Sequence, residues 1–184
     1  MAPLLIVAAT RAEAAYVPDG VDVVITGIGK VPAAVATTRA LAARNDLADL
    51  VLVNLGTAGA LRNGLEGLFE PGVVVNHDIN ADAIRALDHD PQERLVVGPG
   101  DVVLASGDLF VTDPAERVRL AQTAHLVDME AYAVAWAARQ FGVGTRLVKH
   151  VSDNADEGAM EWLDLVDASA RVLGAWVEEF LAGR

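Results

Sequence analysis

The sequence predicts an α/β three-layer domain. Three observations carry that prediction. Apolar, β-prone runs recur along the chain, those runs are apolar on both faces, and helix-favouring stretches alternate with them. A strand that is apolar on both faces needs cover on both sides, and helices between successive strands supply it.

The elements follow in chain order. Pro3 to Ala9 is a continuous apolar run that predicts a buried first strand. Val21 to Thr26 predicts a second and Leu50 to Leu55 a third, with Gly72 to Asn76, Asp101 to Ala105 and Arg146 to Val151 adding three more. Pro32 to Arg44 is Ala-rich and reads as a helix. Asp113 to Thr123 opens with an N-cap aspartate, Pro114 in the first turn and Glu116 three residues on. Glu130 to Phe141 predicts another helix, closed by Gly142. In the last helix Leu163, Val166, Ala170, Leu173, Val177 and Phe180 recur at spacings of three and four, one stripe facing a core. Trp162 and Trp176 are read there as packing residues. His77 to Glu93, with Asp78, Asp82, Asp88 and Asp90, predicts an irregular mobile connection over one edge.

Composition narrows the function. The 184 residues suit one domain, 1–184, and 53% are hydrophobic, enough for a sizeable core. A net charge of -12 opposes a nucleic-acid surface, which needs clustered Lys and Arg; the only lysines are Lys30 and Lys149. With no cysteine, disulfides, thiolate metal sites and cysteine nucleophiles are excluded. Met1 to Ala9 lacks the basic start of a signal peptide, and no apolar stretch reaches the ~20 residues of a membrane span. The expectation is a cytoplasmic protein with no membrane partner. His77, His89, His125 and His150 lie apart, no GxSxG elbow occurs, and no metal is expected.

Five segments could carry chemistry, and each has a plainer reading. Gly27-Ile28-Gly29-Lys30 suits close approach of backbone amides to an anion, or simply a tight strand-to-helix turn. Asn54 to Ala60, with Gly56, Thr57, Ala58 and Gly59, suits a ligand at strand ends, or a turn. In Ser106-Gly107-Asp108-Leu109-Phe110 the phenyl ring could stack on a flat base, or fill core. Glu130, between Val127, Met129, Ala131 and Ala133, needs a partner if buried; two ribose hydroxyls would serve, as would a salt bridge at a helix start. Ser152-Asp153-Asn154-Ala155-Asp156 could supply an acid, or form a surface turn.

Together with Glu13, these segments in this order resemble the nucleoside phosphorylase superfamily. The resemblance runs from Leu4 to the final helix. The nearest branch looks like the 5′-methylthioadenosine/S-adenosylhomocysteine nucleosidases, with the futalosine hydrolases beside it. The resemblance implies a central mixed, twisted sheet in a three-layer αβα sandwich, a homodimer and no cofactor. It implies that Asp153, helped by Ser152, protonates purine N7, and that Glu13 activates water. Glu130 would accept the ribose 2′ and 3′ hydroxyls, with Met129 packing on the sugar. Phe110 would stack on the purine and the Val111 backbone would read its edge. Thr57, Ala58 and Gly59 would line the sugar and water site, and Lys149 stands where the family has an arginine steadying the ribose glutamate.

The implied activity is hydrolysis of the N-glycosidic bond of an adenine nucleoside such as 5′-methylthioadenosine or S-adenosylhomocysteine. Asn54, where hexameric phosphorylases carry an arginine, and Glu13 in the first loop favour water over phosphate; Arg11 in that loop points the other way. Futalosine hydrolysis, phosphorolysis and a non-enzymatic nucleoside sensor are the alternatives. A dinucleotide-binding oxidoreductase has only Gly27-Ile28-Gly29 in its favour. The chain departs from the family in a shortened stretch between Asn76 and Asp101, in Lys149, and in Tyr132 where a small residue is usual.

Overall fold

A computed structural model describes residues 2–156 and 162–183. The order is β1 (Leu4–Ala8), β2 (Asp22–Ile25), α1 (Lys30–Ala42), a 3-10 turn (Leu47–Asp49), β3 (Val51–Ala60), β4 (Leu68–Phe69), β5 (Val73–Asn76) and α2 (Ala81–Arg85). Then come β6 (Arg94–Val96), β7 (Val103–Ser106), α3 (Pro114–Ala121), β8 (Leu126–Asp128), α4 (Ala131–Gln140), β9 (Thr145–Asp153) and α5 (Trp162–Ala182).

The strands form one mixed sheet in the order β2-β1-β3-β8-β7-β5-β6, with β9 on β3 and β4 on β9. Its three layers follow from the apolar runs. Along β1, Leu5 and Val7 face Ala33 and Leu41 of α1 and Val134 and Ala138 of α4. Leu4 and Ile6 turn the other way, onto Leu173 and Val177 of α5. In the second half of the sheet, Val74, Leu104 and Leu126 face α4, whereas Val103, Ala105 and Val127 meet Leu120 of α3. Alternation along each strand thus feeds two cores at once. Of the last helix's stripe, Val166, Ala170, Leu173 and Val177 are buried, while the Leu163 side chain lies outside those described. Trp176 stacks on Phe180 at 5.0 Å; the Trp162 side chain is likewise outside those described. No helix among the described residues is long and apolar enough to cross a membrane.

β3 is the longest strand, and it organises the site. Asn54 to Ala60, which suits a ligand at strand ends or a turn, continues the third strand past Leu55, because β9 pairs with it from Leu52 to Gly59. β1 takes the other edge at Val51 to Asn54 and β8 takes it at Gly59 and Ala60. The β3–β9 register shifts where Ala58 pairs with Val151 and Gly59 with Asp153, leaving Ser152 as the extra residue. Such a bulge bends the strand and re-aims its side chains. Ser152 and Asp153 therefore end β9, not a turn beyond it.

Other differences have local causes. α3 begins as expected: Asp113 accepts the Ala115 N–H and Pro114 opens the helix. The connection from His77 to Glu93 is not irregular throughout, since it holds α2, capped by the Asn80 side chain, and leads into the edge strand β6. Tyr132 lies in the core with Val74 and Leu104, stacked on Trp136, and its hydroxyl donates to the Gln92 carbonyl at 2.6 Å. Its bulk therefore lies against the segment that carries Gln92 and does not line the cavity at the strand ends.

Candidate active site

A cavity of about 340 Å³ opens where β3, β8 and β9 end, walled by the first loop, the Gly27–Gly29 turn and the loop after β7. Glu13, Thr57, Ala58, Gly59, Phe110, Val111, Met129, Glu130, Ser152 and Asp153 all line it. Lys149 lies beneath the wall, 2% exposed.

Glu13 is 4% exposed and fully engaged. The Thr10 N–H and hydroxyl both donate to Oε2 at 3.0 Å; the Thr57 N–H and hydroxyl donate to Oε1 at 2.8 and 3.0 Å. A Cβ on Gly56 would lie 2.9 Å from Glu13 Oε1 and 3.4 Å from Lys149 Nζ, so glycine is what lets both approach β3. At the opposite wall Asp153 Oδ2 accepts the Ser152 hydroxyl at 2.6 Å and Oδ1 accepts the Ala155 N–H at 2.8 Å. A Cβ on Gly59 would sit 3.0 Å from Asp153 Oδ1 and 2.9 Å from the Ala155 Cβ. The paired glycines of β3 thus make room for one acid each.

Glu130 ends the β8–α4 turn, 7% exposed. Its Oε1 accepts the Gly29 N–H at 2.8 Å. The glycine turn with α1 behind it does hold an anion at a helix N-terminus, and the anion is the protein's own carboxylate. Burial first, then the Asp128 charge, push the Glu130 carboxyl up to about 7, with Lys149 and the Gly29 N–H opposing only in part.

Lys149 does not pair with Glu130 directly. Its Nζ lies 2.9 Å from Asp128 Oδ2, which also accepts the Ala131 N–H at 2.9 Å and so caps α4. Burial pulls the Lys149 ammonium down, but Asp128 and Glu130 outweigh it and hold the group above its ordinary value. Sequence reasoning gives Asp128 no role; its one visible signal is an acid three residues ahead of the first helical amide it caps.

Phe110 lines the cavity wall and is 45% exposed, so it is not core. The Val111 side chain is buried with Leu120 and Val127. Among the described residues four carboxylates line the cavity, Glu13, Asp128, Glu130 and Asp153, and no Lys or Arg does. Arg11 is exposed. Among the described residues no His, Asp and Glu cluster could hold a metal ion.

Residues 71–182 match the family model described as the phosphorylase superfamily. The chain belongs to that superfamily. Among its relatives, a 5′-methylthioadenosine/S-adenosylhomocysteine nucleosidase of Anoxybacillus flavithermus is 31% identical over 166 residues, covering 74% of this chain and 70% of the relative. A nucleosidase of the same description from Shewanella halifaxensis is 28% identical over 165 residues, with the same coverage. Of solved superfamily folds, a mutant nucleosidase of Helicobacter pylori with 5′-methylthioadenosine in its active site superposes with a TM-score of 0.85 at 22% identity, covering 100% of both chains. The futalosine hydrolase of Helicobacter pylori superposes with a TM-score of 0.83 at 23% identity, covering 99% of this chain and 98% of that one. These superpositions establish the superfamily's α/β fold for this chain.

Proposed function

We propose that this protein is a purine nucleosidase that hydrolyses the N-glycosidic bond of an adenine nucleoside such as 5′-methylthioadenosine or S-adenosylhomocysteine. The observation that carries the proposal is one cavity that Glu13, Glu130 and Asp153 line together, with no Lys or Arg lining it among the described residues.

Breaking the C1′–N9 bond sends its electron pair into the purine, a poor leaving group as an anion. Asp153, bonded to the Ser152 hydroxyl, delivers a proton to N7 so that the base leaves neutral. The sugar passes through an oxocarbenium-like state, whose positive charge the surrounding carboxylates stabilise. Glu130 uses its free oxygen to accept ribose hydroxyls while Gly29 holds the other, and Met129 packs on the sugar. Glu13, oriented by Thr10 and Thr57, takes the proton of the attacking water, whose oxygen bonds to C1′. Phe110 stacks on the purine and the Val111 backbone meets its edge.

Water is the nucleophile on electrostatic grounds. A phosphate dianion would enter a cavity that, among the described residues, four carboxylates line and no cation does. A second copy of the chain completes the mouth in this reading: Ile28, which lines the cavity, and Val31 and Val35 on α1 are 57%, 71% and 53% exposed, apolar surface suited to a homodimer.

The test is a panel of adenosine, methylthioadenosine, S-adenosylhomocysteine, inosine and futalosine, each with and without phosphate. Adenine release from methylthioadenosine at a rate unaffected by phosphate is the expected result. A strict phosphate requirement would make the protein a phosphorylase, preferential cleavage of futalosine a futalosine hydrolase, and adenine binding without turnover of any nucleoside a sensor.

A further inference from the structure

We infer that Lys30 is a positioning residue that clamps the Phe110 loop to the turn holding Glu130, and so sets the spacing between the base and sugar halves of the cavity. The inference rests on the proposed function for what the two halves bind; the clamp itself stands on geometry.

Lys30 is the first residue of α1 and follows Gly29, whose N–H holds Glu130. Its own N–H donates to Asp108 Oδ1 at 2.7 Å. Its ammonium donates to Asp78 Oδ1 and, at 3.0 Å, to Asn76 Oδ1, and lies 3.9 Å from Asp108 Oδ2. Asp108 closes the ring by donating its N–H to Asp78 Oδ2 at 2.8 Å. The ring therefore joins three segments: the start of α1, the end of β5, and the loop after β7 that carries Leu109 and Phe110. A Cβ on Gly29, whose φ is +98°, would lie 3.0 Å from Asp108 Oδ1, so the glycine also permits this approach.

Lys30 is the single cation in this ring, set between two carboxylates. Burial alone would lift the Asp78 carboxyl; the Lys30 ammonium and the Asp108 N–H outweigh burial and hold it below its ordinary value. Without Lys30, Asp78 and Asp108 are like charges joined by one hydrogen bond. Repulsion would then lift the Phe110 loop away from Glu130, while Asp153 and Glu13, which make no contact with the ring, stay in place.

The experiment compares wild type, Lys30→Met, and Lys30→Met with Asp78→Asn, which removes the repulsion but keeps an acceptor for the Asp108 N–H. In hydrogen exchange, Lys30→Met should lose about tenfold protection over residues 107–112, and the double variant should recover much of it. With methylthioadenosine as the probe, Lys30→Met should raise KM about tenfold with kcat within about threefold, because a displaced binding wall weakens binding more than chemistry. Unchanged exchange over 107–112, or a double variant worse than the single one, would overturn the clamp, and neither readout needs an active enzyme. If wild type turns over no nucleoside, the proposed function fails while the exchange result still decides the clamp. Equal falls in kcat and Tm without a KM change would also count against it.

Discussion

The Lys149 ammonium sits 2.9 Å from Asp128 Oδ2, and each side chain is 2% exposed. Asp128 lines the cavity and Lys149 lies beneath it, where Glu130 and Glu13 bring two more carboxylates near the same ammonium. Removing one partner of a buried pair leaves an uncompensated charge, which costs more than the pair contributes. Lys149→Met should therefore destabilise the fold by about 3–5 kcal/mol in urea unfolding. A loss of about 1 kcal/mol or less would put the pair in the class of surface ion pairs and contradict the burial argument.

Glu130 predicts an unusual pH dependence. Its carboxyl titrates near 7 in the fold against 4.5 in the open chain, so between those values the folded state holds a proton that the unfolded state has lost. Stability contributed at Glu130 therefore falls as pH rises from 4.5 to about 7 and is constant beyond. Glu130→Gln keeps an acceptor for Gly29 and does not ionise. It should match wild type below pH 4.5 and exceed it by on the order of 3 kcal/mol at pH 8, read from paired unfolding curves. The ionised form is the better acceptor for ribose hydroxyls, so KM should fall over the window in which stability falls.

Asp153 tests the proton donor. Asn at this position can still accept the Ala155 N–H through its Oδ1, while its amide N–H can donate to the Ser152 hydroxyl oxygen in place of accepting from it, so the loop should keep its shape. Turnover at saturating nucleoside should drop by about 10²–10⁴. Near-normal turnover in Asp153→Asn would mean that another group protonates the base.

Tyr132 ties α4 to the segment that carries Gln92. Tyr132→Phe loses only the bond to the Gln92 carbonyl and should cost about 1 kcal/mol. Tyr132→Ala also opens a void against Val74, Leu104 and Trp136 and should cost about 3–5 kcal/mol, with kcat unchanged because the ring does not line the cavity. A kinetic defect without a stability loss would assign Tyr132 to the substrate side instead.

Much of the fold is legible along the chain because its signals are local. Leu4 to Ala8 is apolar on successive positions because it feeds two cores, and Asp113-Pro114 announces a helix start through groups within one turn of each other. β4 and β6 are not legible, for the opposite reason, whereas α2 does carry a local signal, the Asn80 cap, inside the stretch expected to be irregular. Leu68 and Phe69 count as a strand only because β9 lies beside them, and Arg94 to Val96 only because β5 does. The glycines of Asn54 to Ala60 fit a turn as well as close approach of a ligand, and only pairing with β9 keeps the segment in the strand.

The sequence by itself determined the α/β class, the two-faced strands, and the residues now gathered around the cavity, since residue type and order carry that information without any knowledge of contacts. Only the tertiary structure decided how those residues are held. The Ser152 bulge depends on the β3–β9 register, the Gly29–Glu130 bond on α1 and α4 meeting beside one strand end, and the Lys149–Asp128 pair on β9 and β8 both lying against β3. Such contacts join residues far apart in the chain, and a register shift by one residue would send each side chain to the other face. Their partners therefore become visible only once the strands are in place.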